Sequence, residues 1–152
     1  MHKLPFLSLG FCLAVAFNCA CLAAAQDDRA KKDMEQLQGN WRVVSSQVGD
    51  EKARPEEFKK RRLTFTGDKL VYDYGNEQKD KRVGTIKLEA KTKAFDWTVT
   101  SGGLTEGTML GIYELNGDDL KIGFGNDGLV RPRRWTIGKD DVVWLLVLKR
   151  EK

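Results

Sequence analysis

From Trp41 onward, apolar residues recur at every second position, in short runs parted by glycine-containing turns. Alternation of period two marks strands with one buried face. It predicts strands over Trp41–Val48, Arg62–Thr66, Lys69–Tyr74, Arg82–Leu88, Ala94–Thr100, Thr108–Leu115, Asp119–Phe124, Arg133–Ile137 and Val142–Arg150. The faces are explicit in several of them. Leu63 and Phe65 alternate with Thr64 and Thr66, and Tyr72 shares a face with Leu70 and Tyr74. Trp97 goes with Phe95 and Val99, and Phe124 with Leu120 and Ile122. Turns fall at Gly49-Asp50, Gly67-Asp68 and Gly75-Asn76, and Asn116-Gly117 is the strongest hairpin signal. Before Gly39 the period is helical. Ala30, Met34 and Leu37 lie on one stripe, so a helix is expected over Asp27–Gln38, capped by Asp27 or Asp28 and ended by Gly39. Pro55 opens a single predicted helical turn, Arg54–Lys59.

Strands joined mostly by hairpins become neighbours in space, and closing the sheet removes its edges. The expected fold is therefore all-β: a small up-and-down antiparallel barrel of eight to nine strands with a short N-terminal helix. The inward set is expected to be Leu63, Phe65, Tyr72, Ile86, Trp97, Ile122 and Phe124. The final strand is apolar on both faces from Val142 to Leu148, which requires cover outside the barrel. The N-terminal helix is the expected cover.

The first residues belong to a different segment. Met1-His2-Lys3 precedes 22 uncharged residues, with an apolar heart from Leu7 to Phe17 and small residues at Ala23-Ala24-Ala25. This is the layout of a secretory signal peptide, and cleavage is expected after Ala25. An uncleaved anchor is the alternative, since that run could span a bilayer. The division is a signal peptide at 1–25 and one barrel domain at 26–152, placed in the periplasm, cell envelope or extracellular space. Cleavage removes Cys12, Cys19, Cys21 and His2, leaving a mature span without cysteine or histidine and with no membrane span. It also leaves 25 basic against 22 acidic residues, interspersed as on an ordinary soluble surface. No basic stripe suggests nucleic acid, and Lys59-Lys60-Arg61-Arg62 reads as solvated charge.

These absences prune the chemistry. A Ser-His-Asp triad, a cysteine nucleophile and a histidine-built zinc site are excluded from the mature span. Asp96 and Glu114, as a carboxylate pair, are expected to face solvent. Asp118-Asp119 and Asp140-Asp141 suit turn hydrogen bonding better than calcium. Gly123-Phe124-Gly125-Asn126-Asp127-Gly128 spells a dinucleotide fingerprint, but Pro132 and a further predicted strand follow where a helix is needed. Those glycines are expected to serve a loop with positive φ values. Arg131-Pro132-Arg133-Arg134 is the best polar candidate, because clustered guanidiniums hold carboxylates or phosphates. The candidate ligand-binding residues are Phe65, Tyr72, Trp97, Phe124, Arg131 and Arg133. No catalytic residue, metal or cofactor is expected.

Gly39-Asn40-Trp41, after a short helix and at the head of a strand, resembles the Gly-x-Trp start of lipocalins. In more detail the span is similar to a bacterial family of exported lipocalin-like domains found chiefly in planctomycetes. Leu37 to Trp41, Leu63 to Lys69, Leu110 to Asp118, Arg131-Pro132 and Val147 to Arg150 carry that likeness. The resemblance implies that Trp41 closes the barrel floor beside Gly39, with Arg150 or Lys149 packed over the indole. It brings no catalytic residues. The expected function is a monomeric, non-enzymatic exported barrel binding a small apolar or amphipathic ligand. The alternative is a filled barrel acting as an interaction or structural module, its protein partner unspecified.

Overall fold

The computed structural model of the protein describes residues 28–77, 81–102, 107–138 and 141–152. The expected signal peptide, the Asp27 cap, the tip of the Glu77–Lys81 hairpin, Gly103 and Asp140 lie outside the described residues. Helix α1 is described from residue 28 to residue 37. The strands follow as β1 Gly39–Val48, β2 Glu51–Lys52, β3 Arg62–Thr66, β4 Lys69–Asp73 and β5 Arg82–Glu89. The rest are β6 Ala94–Ser101, β7 Gly107–Asn116, β8 Asp119–Phe124 and β9 Trp144–Arg150. A one-turn helix, α2 at Pro55–Phe58, carries Pro55 in its first turn, and Glu57 accepts from the Arg54 backbone amide.

All pairings between strands are antiparallel, in the order β2-β1-β3-β4-β5-β6-β7-β8-β9, and β1 also pairs with β9. Eight strands thus close into a barrel, with β2 as a short extension at the rim. The register puts one alternate set of each strand into the lumen: Leu63 faces Tyr72, Ile86 faces Trp97, and Leu120 faces Leu148. Every member of the expected inward set is buried. At one end tight turns join the strands; at the other β1 leads to β3 by way of β2, β4 to β5, β6 to β7 and β8 to β9 through longer connections, of which residues 49–61, 74–77, 81, 102, 125–138 and 141–143 are described. Four long connections around one rim define a mouth, and the tight-turn end is the floor.

The interior is filled. Tyr72 packs edge-on to Trp97 and Trp144, Trp97 meets Phe124 at 6.3 Å between centroids, and Phe124 stacks on Trp144 at 5.3 Å. These four rings close a circuit across the lumen. Beneath it, Phe95 touches Phe65, Tyr113 and Phe124.

Three expectations change. Arg133–Ile137 is not a strand: β8 pairs directly with β9, the barrel is closed, and that segment has no edge to join. It contributes one isolated bridge, Ile137 to Val142. This connection, and not α1, covers the outer face of β8, while Leu145 and Val147 on the outer face of β9 are only half-buried, so that strand is not closed off on both sides as expected. A Cβ built on Gly123 would lie 2.9 Å from Val142 and 3.0 Å from Trp135, so both side chains press on bare backbone there. Trp135 also sits under Lys121, with Nζ 4.3 Å from the ring centroid. Val142 and Val143 belong to this covering segment, and β9 begins at Trp144.

Helix α1 instead plugs the floor. Leu37 is fully buried in the core, and Met34 packs against it. The Trp41 indole N–H donates to the Leu37 carbonyl at 2.8 Å. Gln38 clamps the β3–β4 turn, its amide donating to the Gly67 carbonyl and its carbonyl accepting from the Gly67 N–H. Gly39 then leaves the helix with φ +107°, a conformation that L side chains rarely adopt.

Candidate functional site

Above the aromatic circuit the barrel mouth opens into a cup of about 780 Å³. That is within the usual ~300–1,000 Å³ of small-molecule sites. Tyr72, Phe124 and Trp144 form its floor, Met109 and Val99 its wall, and Val48 and Leu129 its lip. Val48 and Leu129 are 56% and 73% exposed, so the lip is apolar and open to solvent. Arg61, Tyr74 and Arg82 supply the polar side.

Local sequence explains how each polar group arrives. Arg61 follows α2, and its backbone N–H donates to the Phe58 carbonyl, which turns the chain over the mouth. The end of that segment is pinned by Gly75, where a Cβ would stand 2.3 Å from the Lys60 Cβ. Only a glycine fits such an approach. Arg82 opens β5 and lies opposite Tyr72 in the β4–β5 register. Its guanidinium carbon is 5.8 Å from the Tyr74 ring centroid.

The electrostatics are one-sided. The described lining contains two guanidiniums and no carboxylate. The Tyr72 hydroxyl and the Arg82 Nε are buried without a hydrogen-bond partner among the described residues. Burial pushes the Tyr72 phenol above its ordinary range; the Arg61 and Arg82 charges pull it back without cancelling that rise. The Arg61 guanidinium therefore acts on this hydroxyl through space without closing a well-formed hydrogen bond to it. The Trp97 indole N–H also lacks an acceptor among the described residues, at a point where a Cβ on Gly84 would stand 2.8 Å from it.

The six ligand-binding residues named from sequence do not assemble as one site. Tyr72, Trp97 and Phe124 are mutually in contact, Tyr72 and Phe124 in the cup floor and Trp97 behind them. Phe65 lies deeper, against Phe95. Arg131 is on the outer wall, paired with Asp96 at 2.6 Å and donating to the Gly111 carbonyl at 2.7 Å. Arg133 is exposed beside a surface groove that includes Pro132 and Trp135. Arg61, Tyr74, Arg82, Met109 and Trp144 were not among the sequence candidates. Arg61 sits inside a basic run that reads as solvated, and the approach of separate loops to one rim leaves no periodic trace.

At the floor, Gly39, Trp41 and Arg150 come together. The Arg150 guanidinium lies 4.2 Å from the Trp41 ring centroid and donates to the carbonyls of Gln38 and Gln36. Lys149 points outward and pairs with Asp119.

Other chemistry finds no support in the geometry. The glycine fingerprint leads into the three-residue 3-10 turn Asn126–Gly128 and not into an α-helix. Of its glycines only Gly128 has positive φ; a Cβ on Gly125 would strike the Val130 carbonyl at 1.8 Å. Close backbone approach thus explains Gly123 and Gly125 better than left-handed φ does. Asp96 is held by Arg131, and Glu114 accepts from Asn116. Among the described residues no group of three or more histidine, cysteine or acidic side chains could hold a metal. No described helix is long and apolar enough to cross a membrane.

No family model, curated protein or solved structure is significantly similar to this chain.

Proposed function

We propose that this is an exported, non-enzymatic, lipocalin-like barrel that binds a small amphipathic ligand in its mouth. The carrying observation is the cup itself: an aromatic floor, an open apolar lip and buried polar atoms without partners among the described residues. Native proteins satisfy nearly all buried polar groups, so unpaired ones just behind the wall of a concavity suit a missing ligand. The ligand would rest on the aromatic circuit and not thread the barrel axis. Resemblance to lipocalins at Gly39-Asn40-Trp41 supports the reading, as does the signal-like segment at 1–25. The absence of cysteine and histidine from residues 26–152 favours a non-enzymatic role.

Binding of the neutral fluorophore N-phenylnaphthylamine tests this. Saturable micromolar binding, lost in Trp144→Ala at unchanged fold, is expected. An intact mass that retained residues 1–25 in exported protein would refute the processing step. Cleaved protein should unfold at the same midpoint with and without reductant.

The filled interior favours a second reading, in which the barrel is an interaction or structural module. Folded protein without saturable binding would select it.

A further inference from the structure

The cup has a polar side, and its chemistry is selective. Arg61 and Arg82 bring two permanent positive charges to one rim. No described carboxylate pairs with either. The exposed Arg29, Arg42 and Arg133 also lack a described acidic partner, but the other half-buried arginines, Arg62, Arg131 and Arg150, each have one. Between the two stands Tyr72, 1% exposed, with a buried O–H that has no described acceptor. Arg82 Nε is in the same position. Three donors thus converge, and the described lining supplies no anion to receive them.

Resting on the mouth-binding reading above, we propose that the ligand carries an anionic oxygen head, a carboxylate being the simplest, held by Arg61, Arg82 and the Tyr72 hydroxyl. The apolar body lies over Trp144, Phe124 and Met109, and its far end leaves across Val48 and Leu129. An oxyanion accepts from guanidinium N–H and phenol O–H groups at once, and charge-assisted bonds are about twice as strong as neutral ones. A neutral alcohol head would satisfy fewer of these donors. A cationic head would be repelled by both guanidiniums.

Three twelve-carbon amphipaths separate these cases: dodecanoate, dodecanol and dodecyltrimethylammonium, each displacing N-phenylnaphthylamine from the purified protein. Dodecanoate should displace the probe at a concentration at least about tenfold below that of dodecanol, the difference that one charge-assisted hydrogen bond supplies. The ammonium should be weakest. Arg82→Gln and Tyr72→Phe should each shrink the ratio between dodecanol and dodecanoate displacement concentrations; Lys69→Gln, an exposed change at the floor end, should leave both displacement and that ratio intact. Arg61→Gln repeats the test should either of the first two variants misfold. Equal displacement by all three amphipaths would overturn the anionic head and leave mouth binding standing. Should the neutral probe not bind, calorimetric titration with dodecanoate decides: saturable binding that Arg82→Gln weakens upholds the proposal, and none overturns both readings.

Discussion

Arg150 at the end of β9 covers the face of Trp41 at the start of β1, 4.2 Å from guanidinium carbon to ring centroid, so the two ends of the barrel strand sequence lock one another. Trp41 is fully buried, and its indole N–H is satisfied by Leu37. Truncating a buried tryptophan costs about 3–5 kcal/mol, a large part of the ~5–15 kcal/mol that holds a domain folded. Trp41→Ala should therefore unfold or strongly destabilise the protein. Arg150→Ala should cost about 1–3 kcal/mol, from the lost stacking and the orphaned carbonyls of Gln36 and Gln38. Because the side chains touch, the double variant should lose less than the sum of the singles in denaturant melts. Lys149→Ala, on the opposite face, should be additive with Trp41→Ala.

A second lock at the floor is pH-sensitive. Asp33 of α1 accepts from the Tyr113 hydroxyl at 2.5 Å and from Lys93 Nζ at 2.7 Å. Burial alone would raise the Asp33 pKa, but the Lys93 and Tyr113 hydrogen bonds and the Lys93 and Lys32 charges outweigh it, and the net shift is downward. A carboxylate with a lowered folded-state pKa contributes stability above its unfolded pKa of about 3.9, and loses it as pH falls through the folded value. Asp33→Asn should thus cost about 1–2 kcal/mol at pH 7, with the gap to wild type closing below about pH 4. Urea melts across that range check it. A constant gap would mean the carboxylate charge is not what holds α1.

Gly84 on β5 is a packing glycine. A Cβ there would stand 2.1 Å from the Thr98 carbonyl oxygen and 2.8 Å from Trp97 Nε1. Overpacking of a filled interior costs about 1–3 kcal/mol, and contact with backbone leaves little room for relief. Gly84→Ala should lower the melting midpoint and alter the near-ultraviolet circular dichroism of Trp97. Gly117→Ala, whose Cβ would meet nothing within 4 Å, is a useful comparison, limited to the strain of its φ of +61°.

Much of this fold is written in alternation. Phe65, Tyr72, Trp97 and Phe124 are each flanked by polar or outward residues, so the pleat alone assigns them to the lumen. Arg133–Ile137 misleads because Trp135 and Ile137 have strand-like composition, while strand formation needs a free edge and closure of β8 on β9 leaves none. Val142 looks like the start of a doubly buried strand because it is buried, but against the outer face of β8. The cup was only half legible. Tyr72 and Phe124 follow from period two, whereas Arg61 reaches the rim through α2 and the contact of Gly75 with Lys60. Long-range loop placement of that kind has no local signature.

The aromatic circuit sets the depth of the cup, and Trp144 is its adjustable member. It stacks on Phe124 and meets Tyr72 edge-on, yet it is half-buried and borders the cup directly. Trp144→Ala removes the ring that separates the mouth from the layer holding Phe95 and Phe65. Part of that surface is already wet, so the loss should be about 2–3 kcal/mol, below the ~3–5 kcal/mol of a fully buried tryptophan. The variant should therefore stay folded where Trp41→Ala does not. With a deeper cup, a small flat ligand loses its platform, while a long chain gains apolar wall at about 25 cal/mol per Å² of surface buried. Binding by the variant should shift toward longer fatty acids, with each added methylene now improving affinity up to the Phe95 layer. Titration of the variant and the wild type with a series of fatty acids of increasing length measures this directly. Identical chain-length profiles would mean that ligands do not rest on Trp144. Collapse of the variant's fold would mean that the circuit is part of the core and not a floor.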